Sequence, residues 1–275
     1  MKAMFLMRYS YFGISDWRSN ASKDASKLLS DARLEKRFSL FEKLPLAALR
    51  DQTDPDFDLI VLGSEAMADK HKKRLTEAAK DVLGDGRAHV LFRSPNRAAK
   101  EFRKYIKTIA KPEQTISMLL DDDDAVSSDF TEIARSEAKV AINQYVEGQD
   151  HCFLSFSRGL NIVFQPDGGL EFQMRNVLTP AQGLVLISEG GSRRSLFNIA
   201  HKKLFDRRPL RIISGPSPMY IRAVHDMNDS RGRALGRTIE RKRLEDLART
   251  RFPLLRPFLR AEAGGKSPDT RPCSM

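Results

Sequence analysis

Short apolar runs alternate with longer stretches of helical spacing through the first half of the chain. Ala3–Tyr9 (AMFLMRY), Phe57–Ser64 (FDLIVLGS), Ala88–Ser94 (AHVLFRS) and Gln114–Asp121 (QTISMLLD) are dense in strand formers. Each has the length of a buried strand. Between them, Arg33–Gln52 carries Leu34, Phe38, Phe41, Leu44 and Leu49 near helical spacing, with Pro45 marking a kink or break. Glu65–Gly86 reads as a second helix closed by Gly84, and a third starts at Pro95 and runs to about Ala110. Ser127 or Ser128 is positioned to cap the helix after the fourth strand. The resulting β-α-β-α-β-α-β order predicts a parallel, doubly wound sheet, which binds ligands beyond the carboxyl ends of its strands.

The pattern changes after about Asn143. Cys152–Asn176 reads as antiparallel strands joined by the turn Pro166–Gly169 (PDGG), and Gly183–Ser188 as a further strand. Ser195–Asp206 is predicted helical, as is Arg233–Phe252, with Leu235, Ile239, Leu244 and Leu247 on one face. Residues 261–275 are polar and rich in Gly and Pro, which predicts a disordered tail. The expected organisation is therefore an α/β half over 1–143, a mixed α+β half over 144–260, and the tail. No internal repeat is visible.

Composition narrows the class. Among 275 residues 41% are hydrophobic and 30% charged, which suits a water-soluble globular protein, and no run approaches the length needed to span a bilayer. Arg8 interrupts the first apolar run, so that run reads as a strand rather than a leader. Two cysteines, Cys152 and Cys273, leave no disulfide framework and point to a reducing cytoplasm. The net charge of +11 is concentrated between Arg231 and Arg260. That stretch is either a solvated helix face or a surface drawn to an anionic partner.

The chemistry concentrates in LLDDDDAVSSDF, where the fourth strand empties into Asp121, Asp122, Asp123 and Asp124. In an extended segment Asp121 and Asp123 would share one side, and Asp122 and Asp124 the other. Two carboxylates about 4 Å apart repel by roughly 4 kcal/mol at an effective dielectric near 20. A bound cation removes that cost, and oxygen ligands favour Mg²⁺ or Mn²⁺ over Zn²⁺. Three chemistries use such a group. Nucleoside-triphosphate hydrolysis requires a phosphate loop, and the nearest candidate, Gly264–Ser267 (GGKS), has Arg260 where glycine is needed. Metal-dependent nuclease or nucleotidyl-transfer chemistry is the alternative, although the chain shows no basic stripe interleaved with aromatics, and nucleic acid is a poor fit. Glycosyl transfer suits the placement best, because a divalent metal on an Asp-x-Asp pair stabilises the charge of a departing nucleoside diphosphate.

These residues also carry a resemblance. LLDDDDAV resembles the Asp-rich loop of GT-A glycosyltransferases. Together with MRYSYFG, RFSLFEKLPLAALRDQTDPDFDLIVLGS, LVLISEGG, FNIAHKKL and PMYIRAVHDMNDS it is similar to the bacterial Putative rhamnosyl transferase family, from about Met7 to Ser230. The resemblance implies a GT-A-like, mostly parallel α/β fold with a mixed C-terminal elaboration. It also implies a hexosyltransferase using a nucleoside-diphosphate-sugar donor, a glycan or polysaccharide acceptor, and Mn²⁺ or Mg²⁺. On it, Asp121, Asp123, Asp124 and His225 are the expected metal ligands. Arg8, Tyr9, Ser64, Arg93, Asp121, Asp122, His201 and Asn228 are expected to hold the donor. The general base an inverting enzyme needs is assigned to Glu189, with Asp226 and Glu171 in reserve. Asp226 stands where the family pattern has glycine. Trp17 either stacks on a ligand or packs in the core. The basic C-terminal stretch would meet an acidic acceptor or the inner face of an anionic membrane. A non-catalytic nucleotide-sugar-binding homologue is the remaining alternative.

Overall fold

The computed structural model describes residues 1–14, 23–110, 113–145, 148–198, 201–205, 208–228 and 236–263. Trp17, Arg231, Arg233 and Cys273 lie outside the described residues. The first half runs β1 (Lys2–Tyr9), α1 (Ala25–Leu28), α2 (Asp31–Phe41), a π-helical turn (Glu42–Leu46), α3 (Ala47–Arg50), β2 (Asp58–Ser64), α4 (Asp69–Leu83), β3 (Ala88–Arg93), α5 (Ala98–Ile109), β4 (Gln114–Leu119), β5 (Ala125–Val126) and α6 (Phe130–Asn143). The second half supplies β6 (His151–Phe156), β7 (Arg158–Phe164), β8 (Leu170–Asn176), β9 (Val185–Glu189), β10 (Leu210–Ile213), β11 (Tyr220–Val224), β12 (Arg237–Thr238), α7 (Arg241–Thr250) and α8 (Arg256–Ala263).

The central sheet has seven strands in the order β10-β6-β9-β4-β1-β2-β3. β3, β2, β1 and β4 run parallel, and β9 is antiparallel to both β4 and β6. The expected doubly wound, mostly parallel sheet is present. β1 and β2 are buried almost end to end because helices cover both faces. Alternation along β1 sends Phe5, Met7 and Tyr9 to a core shared with Phe38, Phe41 and Phe130, and Met4 and Leu6 to a second core with Phe102 and Ile106.

A five-stranded sheet, β12-β8-β7-β11-β5, flanks the first. The Pro166–Gly169 turn joins β7 to β8 as expected, with Gly168 at φ 87°. The two halves interlock: β6, β9 and β10 complete the central sheet, while β5 from the first half joins the second sheet. The division at residue 143 therefore does not coincide with a break between sheets.

Several local expectations change. Pro45 does not break its helix but sits inside the π-helical turn, whose wider spacing accommodates the missing N–H. Neither serine caps α6. Asp129 occupies the N-cap, Ser127 donates to its carboxylate at 2.7 Å, and the amide of Thr131 donates to Gln52 Oε1 at 3.0 Å. Within Ser195–Asp206 the described residues hold only a 3₁₀ turn at His201–Lys203. Tertiary packing shapes that segment instead, with Leu196 and Leu204 in the second core and Phe197 stacked on Phe102 at 4.7 Å. The C-terminal helix begins at Arg241, after the β12 pairing with β8, and a second helix carries the chain to Ala263. Part of the basic stretch is spent internally. Arg251 pairs with Asp129 at 2.6 Å and Arg241 with Glu245 at 2.8 Å, while Lys242, Arg243 and Arg260 face outward. No helix among the described residues is long and apolar enough to cross a membrane.

Candidate active site

The acidic stretch begins where β4 ends. Leu120 still donates its amide to Leu6, after which the chain folds back, with the amide of Asp124 reaching the carbonyl of Asp121 at 3.3 Å. A turn replaces the expected extension, so the alternating pairs do not form. Asp122, Asp123 and Asp124 are buried, while Asp121 keeps 25% of its side-chain surface exposed.

Burying three adjacent carboxylates is costly unless each finds donors. Arg37 supplies the largest share. It lies on the inner stripe of α2 with Leu34, Phe38 and Phe41, and is only 3% exposed. Its Nη1 donates to Asp123 Oδ2 at 2.8 Å, its Nε to Asp122 Oδ2 at 3.3 Å, and its Nη2 to Asp122 Oδ1. β11 with the turn after it, and the loop before β9, supply the rest. His225 Nε2 donates to Asp123 Oδ2 at 2.9 Å and Asn228 Nδ2 to the same oxygen at 3.1 Å. The amide of Met227 donates to His225 Nδ1 at 3.2 Å, which leaves the ring proton on Nε2. Asp124 accepts from the amide of Ala223 and from Gln182 Nε2, both at 2.9 Å.

The charges respond to these surroundings. Burial, together with the neighbouring Asp123, pushes the Asp122 carboxyl up to about 6 against the pull of Arg37. Burial acts on Asp123 too, but Arg37 and His225 outweigh it and hold that carboxyl well below the usual range. Asp124 is raised well above its ordinary value by burial and by Asp123 and Asp121.

Other expected residues divide between the site and the scaffold. Arg8 reaches this edge, with Nη2 3.9 Å from Asp121 Oδ1 and its guanidinium 5.0 Å from the Phe197 ring centre. Asn228 joins Asp123 and also donates to the backbone of Ala223. Asp226 is exposed in the turn after His225. Tyr9, by contrast, points into the core, its ring 5.5 Å from that of Phe41 and its hydroxyl donating to Leu34 at 3.4 Å. Ser64 pins the end of β1, accepting from the Phe12 amide at 2.6 Å and donating to Ser10 at 2.9 Å. Arg93 ends β3 and donates to its neighbour's carbonyl, with Glu101 at 3.8 Å. His201 Nδ1 meets the carbonyl of Thr179 at 2.6 Å.

Glu189 is not brought to the site. It pairs with Gln114, the first residue of β4, because β9 runs antiparallel. At about 3.3 Å per residue it stands roughly 20 Å from the acidic turn. Glu171 lies on β8, bonded to Gln173 at 2.8 Å. Arg37 and Gln182 belong to the site without having been singled out, and Arg37 carried a readable signal: a charged residue inside an apolar helical stripe.

Among the described residues no group of three or more His, Cys, Asp or Glu side chains is arranged to hold a metal ion. His225 is committed as a donor to Asp123, so in this arrangement it orients a carboxylate rather than offering a lone pair. Asp124 is likewise enclosed by Gln182 and Ala223. Asp121 and Asp123 remain, a pair of hard oxygen donors of the kind that binds Mg²⁺ or Mn²⁺ together with substrate phosphates.

The profile of the family described as Putative rhamnosyl transferase matches residues 2–237. The chain belongs to this family. No curated relative matches the sequence. Among solved structures, residues 1–349 of TarS from S. aureus are similar at 11% identity and a TM-score of 0.44, over 81% of this chain and 60% of that one. A second TarS structure gives 12% and 0.45, over 82% of this chain and 37% of that one. A "putative nucleotide-diphospho-sugar transferase" from Desulfovibrio desulfuricans G20 gives 10% and 0.35, over 82% and 83%. This chain thus spans 60% of one TarS chain and 37% of the other, less than two thirds of each. At these scores the likenesses add nothing to the site's chemistry.

Proposed function

We propose that the enzyme moves a sugar from a nucleoside-diphosphate donor to a hydroxyl of a glycan or polysaccharide, with the donor diphosphate at the carboxyl edge of β1 and β4. Rhamnose is the sugar that the family's description suggests. The observation that supports this reading is the acidic turn Asp121–Asp124, where Asp123 is held by α2 on one side and by His225 and Asn228 on the other. Asp121 and Asp123 would hold Mn²⁺ or Mg²⁺, which supplies positive charge to the leaving diphosphate when bound. Arg8, beside Asp121, offers a second positive group to the same phosphates. Asp226, exposed and next to His225, would take a proton from the acceptor hydroxyl. The outward-facing basic residues of the C-terminal helices suit an acidic acceptor or an anionic membrane surface. Liposome binding that survives neutralisation of Lys242, Arg243 and Arg260 would remove the membrane part.

The direct test is a thermal-shift screen of nucleoside diphosphates and nucleotide-sugars, with and without Mn²⁺. A ligand that favours the native state raises its melting temperature by linkage. The reading expects a shift for at least one nucleoside diphosphate that grows with Mn²⁺ and disappears in Asp121→Asn. A flat screen across all nucleotides would defeat it.

A further inference from the structure

Four adjacent carboxylates at a strand end suggest a site that depends on a metal ion to stay together. The geometry points elsewhere: we infer that Arg37 is the resident counter-ion of the acidic turn and the positioning residue for Asp123, so that the turn is assembled before any metal or donor arrives. Three donors of one guanidinium reach two carboxylates, and the whole group is buried. An arginine fork matches a carboxylate through two parallel bonds, fixing its plane as well as its charge. Arg37 is in turn fixed by α2, whose stripe of Leu34, Phe38 and Phe41 is locked in the main core. The His225 and Asn228 bonds then approach Asp123 Oδ2 from the other sheet, so that oxygen is held from two sides.

This gives the four aspartates different jobs. Asp122 anchors the guanidinium, and Asp124 ties the turn to β11 through the amide of Ala223. Asp121, the most exposed of them, lies beside the buried Arg8, and Asp123 connects it to the anchored part. The inference concerns how the turn is held and stands on this geometry alone. Only its consequence for turnover rests on the glycosyltransferase reading.

The experiment compares wild type, Arg37→Lys and Arg37→Met, using Mn²⁺ alone as the probe. Melting temperatures are measured in chelator and in excess Mn²⁺, and donor hydrolysis is followed for any nucleotide-sugar that the wild type turns over. Wild type should stay folded in chelator and respond weakly to Mn²⁺ alone. Arg37→Met should melt lower and recover part of the loss when Mn²⁺ neutralises Asp121 and Asp123. Arg37→Lys keeps the charge without the fork, so it should melt near wild type yet lose about tenfold in kcat with donor KM within about twofold. Should Arg37→Met not fold, the lysine variant decides. Wild-type turnover in Arg37→Lys, or the same Mn²⁺ response in Arg37→Met as in wild type, would overturn the inference. A wild type that binds no nucleotide defeats the transferase reading while leaving the Mn²⁺ comparison intact.

Discussion

The two edges of the central sheet both carry charged residues, and they treat them differently. At the amino edge, Lys2 meets Asp58 at 2.9 Å and His89 lies 3.6 Å from the same carboxylate, with the lysine about one third exposed. Glu189 stands on that edge too, opposite Gln114. At the carboxyl edge, three aspartates are buried and bonded by a helix, a second sheet and a loop that are distant in sequence. In the first pair Asp58 is itself buried but the lysine reaches water, where the Coulomb attraction is screened and the long side chain is loosely held. Buried charges of the second kind are expensive, and holding three of them in one arrangement takes the donors of Arg37, His225, Asn228, Gln182 and the Ala223 amide.

The widest gap between the edges should appear in catalysis. Asp123→Asn keeps the shape of the side chain but removes the charge that faces Arg37 and His225. Turnover of a donor should fall by about 10²–10³-fold, the range seen when one electrostatic contact in an active site is lost. Loss of less than tenfold would place the chemistry elsewhere.

Acid titration of stability separates the edges next. Asp122 is raised to about 6 in the folded state, above its unfolded value near 3.9, so the native state takes up protons first. Its contribution to stability therefore increases as pH falls from about 6 to about 4 and is lost as pH rises again. Asp123 has the opposite sign: its contribution is complete above about 4 and is lost as pH falls through its depressed value. Urea unfolding across this range should show a maximum near pH 4–5. Asp122→Asn should make the upper limb shallower by on the order of 1–3 kcal/mol, leaving the part due to Asp124, which is also raised. An unchanged limb would mean that Asp122 does not titrate there.

The amino edge should respond far less. Lys2→Met breaks the pair with Asp58 and should cost about 1 kcal/mol or less in urea unfolding, with the difference shrinking in high salt. Smallest of all, Glu189→Gln should leave donor turnover within about twofold. A large loss there would contradict the separation of the two edges and return Glu189 to the role of base.

How far the site was legible follows from where its parts lie in the chain. The acidic turn and the edge that bears it could be read because a buried strand and its outlet are contiguous. Strand order and direction could not. Glu189 was expected near the aspartates because its strand was recognisable, but the antiparallel insertion of β9 sends that strand's end the other way. Tyr9 and Arg8 are neighbours with opposite fates because alternation along β1 sends one into the core and the other toward Asp121. His225 and Asn228 both meet Asp123, and His225 does so by donating to it. Arg37 was missed because its partners are 85 and 86 residues away. Its place in an apolar stripe was the local trace of that long-range contact.

The most direct measurement is a crystal soaked in Mn²⁺ and a nucleoside diphosphate that passes the thermal screen, with the metal located by anomalous scattering. The account predicts a single strong peak between the carboxylates of Asp121 and Asp123 and the two phosphates, with Arg37 still bridging Asp122 and Asp123. Metal and nucleotide settling together anywhere else, with the acidic turn untouched, would contradict it.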